Sequence, residues 1–342
     1  MPSHGMMSED TLKNALEKAF AYADGKPVSL SFQGGEPLLA GKDFFRTAER
    51  LIKTLNLKGS PVDVGIQTNG TLLDEEWCAM FRANRWLVGL SLDGDRTANA
   101  YRVDADGEPV FDKVYAAAKL MQKCKVDFNV LCVLTRSTAE NIEKVYAFFR
   151  RNKFRFLQFI PVLRPLRAVS GVAADAQTDG ANGVAESEDE WALTPEAYLT
   201  FLKKAFSLYM KDMIDGRYTS VRQFDNFVRL ANFGRAEQCG MNGVCSRQFV
   251  VEGDGAVYPC DFYCLDEYYI GNINESDFAS LENHPVAVKF VEESFTRPEK
   301  CEGCKYLRMC GGGCKRERQD VDKCEAYKEF FDYALPNMKR MR

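Results

Sequence analysis

The chain has 342 residues and a formal net charge of −4, which leaves room for about two domains and a sizeable core. At 46% hydrophobic and 27% charged residues it has an ordinary soluble composition. It has no basic footprint for nucleic acid or an anionic membrane surface and no apolar run of transmembrane length. The polar, acidic start (Met1 to Asp10) does not form a signal-peptide pattern, so a cytoplasmic protein is expected.

Ser8 is placed to cap a first helix, with Glu9 and Asp10 at its positive end and an apolar stripe of Leu12, Ala15, Leu16, Ala19 and Phe20. Gly25 and Pro27 stop it. Val28, Leu30 and Phe32 alternate as a strand that runs into Gln33-Gly34-Gly35-Glu36-Pro37. A helix around 44–55 follows, then a strand ending in Gln67-Thr68-Asn69-Gly70, a helix around 77–81, and a strand 88–92 turned outward by Asp93-Gly94. Helix 114–121, strand 128–133, helix 142–149 and strand 156–161 continue the alternation. That alternation implies right-handed βαβ units and a parallel sheet, here a partial barrel. In such barrels the working residues sit at the C-terminal strand ends, where Gly34-Gly35-Glu36, Gln67 to Gly70 and Ser91 to Gly94 all fall. Three such clusters point to a small-molecule site, although each alone reads equally well as a turn.

Residues 168–190 carry almost no large apolar side chain and cannot bury enough surface to order themselves, so a mobile insert is expected there. Thr194-Pro195-Glu196 restarts structure as N-cap, proline at the first helical position and acid. That helix runs to about Ile214, and a shorter one covers 224–233.

From Cys239 onward the chain becomes a cysteine grid. Nine of its twelve cysteines lie between Cys239 and Cys324, against only two histidines in the whole chain. Thiolates so dense in a reducing compartment call for a soft metal or an iron–sulfur cluster. A structural zinc site is the plainer alternative, and Cys301-x2-Cys304 alone would suit it. The thiolate count and the glycines Gly311 to Gly313, which let backbone amides approach sulfur, favour clusters.

The spacing Cys245-x9-Gly255-x4-Cys260, then Cys301-x2-Cys304-x5-Cys310-x3-Cys314, then Cys324 resembles the SPASM signature of radical S-adenosylmethionine (radical SAM) enzymes. The resemblance implies an α/β fold: a partial (β/α)6 radical SAM barrel over 1–235, missing its first strand, and a SPASM iron–sulfur domain over 236–342. It implies two auxiliary 4Fe–4S clusters, one on Cys239, Cys245, Cys260 and Cys314 and the other on Cys301, Cys304, Cys310 and Cys324. Cys264 is then an ordinary thiol. Gly34, Gly35 and Glu36 match the motif that takes the amino group of S-adenosylmethionine, while Ser91 and Arg102 match residues that hold its sugar and carboxylate. A plain ion pair of Arg102 with Asp104 is the alternative.

Phe32 to Pro37, Tyr101 to Asp104 and the run from Cys239 through Tyr263 to Ile273 are most similar to anaerobic sulfatase-maturating enzymes. Such enzymes oxidise a cysteine or serine of a sulfatase to Cα-formylglycine through a 5′-deoxyadenosyl radical. The resemblance makes a sulfatase polypeptide or peptide the substrate and a flavodoxin or ferredoxin the electron donor. Asp261, beside a cluster ligand, is the expected base, with a turn residue as the alternative. Gln33 is the expected substrate contact.

The family's radical-generating cluster uses Cys-x3-Cys-x2-Cys, and the cysteines ahead of the grid (Cys78, Cys124 and Cys132) cannot form it. A third cluster is expected only with that motif. The chain as written therefore reads as a truncated or diverged maturase, expected to bind S-adenosylmethionine weakly and release no 5′-deoxyadenosine, with an unpaired edge beside 28–32. A maturase of ribosomal peptides that forms thioether or other crosslinks, and a non-catalytic iron–sulfur module, remain as other readings.

Overall fold

A computed structural model describes residues 4–166 and 190–341, so the expected insert at 168–190 lies, apart from Glu190, outside the described residues. Helix α1 (Glu9–Ala23) begins where Ser8 Oγ accepts the Thr11 N–H at 3.0 Å, and it ends at Asp24 in the left-handed region. Its Leu12, Leu16 and Phe20 bury against Ala48 and Leu51 of α2 (Gly41–Leu55). Strand β1 (Val28–Phe32) pairs in parallel with β2 (Val62–Thr68), Val28 opposite Val62 and Phe32 opposite Ile66.

The alternation continues through α3 (Glu75–Asn84), β3 (Leu87–Ser91), α4 (Phe111–Cys124) and β4 (Phe128–Leu134). It goes on through α5 (Arg136–Glu140), α6 (Ile142–Arg151) and β5 (Phe156–Pro161). A two-residue strand β6 (Ser220–Val221), too short for any sequence periodicity to reveal, extends the sheet, whose order is β1-β2-β3-β4-β5-β6. Sequential order with helical crossovers is what right-handed βαβ units produce.

The chain divides into two compact units. One runs to Leu90 and adds Ala116–Phe128 and Cys245–Thr296. Its aromatic core includes Phe45, whose ring lies 5.1 Å from Phe32 and 5.3 Å from Trp77, and this anchors the C-terminal end of β1. The same unit holds an antiparallel sheet of β7 (Val250–Val251), β8 (Ala256–Tyr258) and β9 (Gly271–Asn272). Sequence patterning missed these strands, again because each is two or three residues long. Helices α9 (Phe278–Glu282) and α10 (Pro285–Phe295) follow.

The other unit comprises Ser91–Tyr115, Asn129–Val244 and the chain from Arg297. Thr194 caps α7 (Pro195–Ile214), its Oγ1 accepting the Ala197 N–H at 3.2 Å. After α8 (Arg222–Phe233) come two short helices, α11 (Leu307–Cys310) and α12 (Lys315–Arg318), and then α13 (Cys324–Met338). Phe201 and Phe206 of α7, Phe224 and Phe227 of α8 and Phe330 of α13 are all 1% exposed or less. Burying such rings is worth about 1.5–3 kcal/mol each. This wedge seats α13, whose first residue is Cys324.

Candidate cluster and cofactor sites

In the first unit the turn after β1 puts Gly34 at φ 90° and Gly35 at φ 52°, conformations that side-chain-bearing residues adopt only at a cost. A β-carbon on either would meet nothing within 4 Å, so backbone geometry and not crowding demands glycine here. The turn leaves an exposed peptide edge that a ligand can approach. Glu36, next in the chain, is fixed: Oε1 accepts the Thr68 hydroxyl at 2.7 Å and the Leu38 N–H at 3.1 Å, and Oε2 accepts the Asn69 N–H at 2.7 Å. The end of β2 therefore orients the carboxylate that the end of β1 supplies. Gln33 is exposed, and its Oε1 accepts a hydrogen bond from Gln67 at 3.1 Å.

Also in this unit, Cys260 Sγ donates to Asp261 Oδ1 at 3.3 Å, and the same oxygen accepts the Phe262 N–H at 3.1 Å. Asp261 is exposed and opens a 3-10 turn, Asp261–Tyr263. It thus satisfies the turn role and the acid–sulfur proximity together. The Cys245 N–H donates to Ser294 Oγ at 2.9 Å. Cys264 is buried, and burial first, then the Glu252 carboxylate, pushes its thiol up to about 12. A thiol so reluctant to ionise suits the inert role expected of it.

In the second unit Ser91 ends β3 and is half-buried. Arg102 does not pair with Asp104. Its Nε and Nη2 instead donate to the two oxygens of Asp93 at 2.6 and 2.9 Å. Asp93 is 5% exposed, and its Oδ1 also accepts the Val133 N–H at 2.6 Å. A buried carboxylate with free acceptor positions outcompetes a half-buried one for a guanidinium fork. Asp104 accepts the Asp106 and Glu108 N–H groups and faces Lys113 at 3.6 Å. The sequence signal for Asp93 was its place at a strand end, nine residues before Arg102.

The same unit gathers the later cysteines. Cys310 ends α11, and Gly311, Gly312 and Gly313 follow with φ 61°, 88° and 79°. This left-handed run turns the Gly312 N–H onto the Cys310 sulfur. Burial raises that thiol, and Cys301, Cys304 and Cys324 lie close enough to raise it further. Cys314 precedes α12 and accepts the Glu317 and Arg316 N–H groups. Burial pushes it up to about 11, with the Glu317 carboxylate and Cys239 adding to the effect. Burial also raises Cys324, against the opposing pull of Lys300 and Lys328.

Among the described residues no three His, Cys, Asp or Glu side chains converge on a point that would hold a single metal ion. Amide N–H groups aimed at sulfur are what a bound thiolate needs.

Residues 2–149 match the family model of the radical SAM superfamily, and residues 239–305 match SPASM, an iron–sulfur cluster-binding domain. The chain is 40% identical to the cysteine-type anaerobic sulfatase-maturating enzyme of Clostridium perfringens (strain 13 / Type A), over 98% of this chain and 89% of that protein. The chain belongs to the anaerobic sulfatase-maturating enzymes. The serine-type enzyme of Bacteroides thetaiotaomicron is 30% identical over 100% of this chain and 84% of its own length. A solved structure of native anSMEcpe with bound AdoMet and Kp18Cys peptide superposes with a TM-score of 0.90 at 39% identity, covering 98% of this chain and 91% of that one. An enzyme relationship along nearly the whole chain favours the maturase reading over a zinc-stabilised or non-catalytic protein. Among the described residues no helix is long and apolar enough to cross a membrane.

Proposed function

We propose that this member of the family oxidises a cysteine side chain of a sulfatase segment to Cα-formylglycine in the cytoplasm. The observation that carries the cysteine preference is the 40% identity to a cysteine-type enzyme against 30% to a serine-type one. Removing one hydrogen atom, one proton and one electron from CH2–SH gives a thioaldehyde, which water hydrolyses to the aldehyde and hydrogen sulfide. S-adenosylmethionine on a cluster held by a Cys-x3-Cys-x2-Cys loop, a motif these 342 residues do not contain, would supply the radical that takes the hydrogen atom, and the auxiliary clusters an electron sink.

This chain's residues provide the rest. Gly34, Gly35 and Glu36 hold the amino end of the cofactor, and Ser91 and Arg102 contribute to its sugar and carboxylate. Gln33 meets the peptide. Asp261 takes the proton. One set of four thiolates is Cys239, Cys245, Cys260 and Cys314, and the other is Cys301, Cys304, Cys310 and Cys324. A small reducing protein such as flavodoxin or ferredoxin supplies electrons.

The test incubates the reconstituted protein, alone and with a strand and a Cys-x3-Cys-x2-Cys loop joined ahead of Met1, with S-adenosylmethionine, reductant and matched cysteine and serine peptides. With the loop joined, aldehyde on the cysteine peptide is expected in excess of that on the serine peptide. Release of 5′-deoxyadenosine with no aldehyde on either peptide would overturn the reading.

A further inference from the structure

In the second unit a small, partly open pocket with about 20 Å³ of room, enough for a single water, is lined by Cys310, Cys314, Tyr198, Gln223, Glu317 and Tyr327. The hydroxyls of Tyr198 and Tyr327 lie 3.0 Å apart, and Tyr198 is 2% exposed. Behind them Lys323 Nζ donates to Glu317 Oε2 at 2.8 Å and sits 5.1 Å over the Tyr198 ring. The Lys323 side chain is only 5% exposed and that of Glu317 24%.

A largely buried ion pair is a poor source of stability, since desolvation consumes much of its attraction. Its position offers another role. Glu317 lies three residues after Cys314 and donates its backbone N–H to that sulfur. Lys323, the more buried partner, offsets that carboxylate's charge. Fixed charge and hydrogen bonding near cluster sulfurs are among what sets a cluster's reduction potential, and partly buried charges are screened less than exposed ones.

We propose that the Glu317–Lys323 ion pair, beside the Tyr198–Tyr327 hydroxyl pair, sets the reduction potential of the cluster held through Cys314 relative to the one held through Cys310. These are positioning residues. Glu317 makes adding an electron at the Cys314 cluster harder and Lys323 makes it easier, so the balance between them fixes how readily that cluster gives up the electron taken from substrate. The inference rests on the reading that both thiol sets hold clusters.

The experiment is an EPR-monitored redox titration of the reconstituted protein and its variants, with iron counted in each sample. Glu317→Gln should move the Cys314 cluster to higher potential and Lys323→Met to lower potential, while Lys323→Arg, which keeps the charge, should restore the native value. In Glu317→Gln the cluster of the Cys310 set should move less, whereas Lys323→Met, one residue before Cys324, should lower both, and a Cys310→Ala background identifies which signal is which. Opposite shifts at unchanged iron content support the proposal, because a packing defect has no reason to follow the sign of the charge removed. Unchanged potentials, or shifts of the same sign in both variants, would overturn it. Wild-type protein that binds well below about eight irons would instead overturn the two-cluster reading, and this inference with it.

Discussion

Gly243 and Gly311 meet backbone to backbone. A β-carbon on Gly243 would lie 1.9 Å from the Gly311 carbonyl oxygen, and one on Gly311 would lie 2.6 Å from the Gly243 nitrogen. Both residues have positive φ, 73° and 61°. The contact presses the loop that carries Cys239 onto the loop that carries Cys310, two residues assigned to different clusters. Gly243→Ala should therefore cost about 1–2 kcal/mol for the left-handed backbone and more for the overlap. Bound iron should drop to half or less. Gly303→Ala is the control, since Gly303 has φ 68° with nothing within 4 Å, and it should retain its iron. Full iron in Gly243→Ala would show that the two loops need no such approach.

Cys310 and Cys264 are both half-hidden to fully hidden thiols, but they differ in company. Cys310 has three other cysteines near it and a backbone amide on its sulfur. Cys264 packs with Ala256 and Tyr258, and its Sγ faces the Cys260 carbonyl at 3.7 Å. Cys310→Ala should lose about half of roughly eight irons, one of two cubanes, and Cys264→Ala should lose none. Iron loss from the Cys264 variant would refute the ligand assignment.

Asp261 offers one carboxylate oxygen to Cys260 and Phe262 and leaves the other without a hydrogen bond among the described residues. Asp261→Asn keeps size and most of that turn but removes the basic oxygen. In protein with the Cys-x3-Cys-x2-Cys loop joined, aldehyde yield should fall by about 10²-fold or more, as for loss of a positioned base. Release of 5′-deoxyadenosine should fall far less. An aldehyde rate equal to that of the unaltered protein would leave Asp261 a turn residue only.

What the sequence reveals here follows the length scale of each feature. The strands of β1 to β5 are five to seven residues long, enough for alternation to be seen, and the polar clusters at their ends mark the turns that carry Gly34 to Glu36. The Cys301 to Cys324 grid is readable because cluster ligation fixes spacing along the chain. Strands β6 to β9, two or three residues each, are held by tertiary pairing that leaves no local pattern. The Tyr198–Tyr327 hydroxyl pair joins residues 129 positions apart, and nothing in either neighbourhood announces the other. Arg102 went to Asp93 and not to the nearer Asp104 because burial, invisible in sequence, decides which carboxylate most needs a cation.

That pairing has a measurable energy. The Arg102 side chain is 23% exposed and that of Asp93 8%, so Arg102→Ala strands a buried carboxylate. It should destabilise the protein by about 3 kcal/mol in urea unfolding. Adding Asp93→Asn removes the stranded charge and still accepts the Val133 N–H, so the double variant should be more stable than Arg102→Ala alone. If the two losses simply add, the pair is not coupled, and Arg102 is free for a ligand without structural consequence.

The last prediction concerns acid. Asp212 on α7 is fully buried. It accepts hydrogen bonds from Tyr146 at 3.0 Å, Arg217 at 3.0 Å and Thr219 at 2.9 Å, with Arg150 at 3.7 Å. Burial pushes its carboxyl up, but the Arg217 guanidinium and the two hydroxyls outweigh that and hold it below the usual carboxylate range. A carboxylate whose folded pKa is depressed contributes stability that is fully present above its unfolded pKa of about 3.9. That stability is lost as pH falls through the folded value. Asp212→Asn should therefore cost about 3 kcal/mol at pH 7, near the lower end for breaking a buried pair, because Arg217 is 48% exposed and partly screened. The cost should shrink once the pH drops below about 4, where the carboxyl of the unfolded chain begins to protonate while the folded one is still charged, and it should vanish below the depressed folded value. Urea unfolding of both proteins at pH 7 and near pH 3 measures this directly, and a gap that stays constant or widens in acid would show that the carboxylate's charge is not what Asp212 contributes.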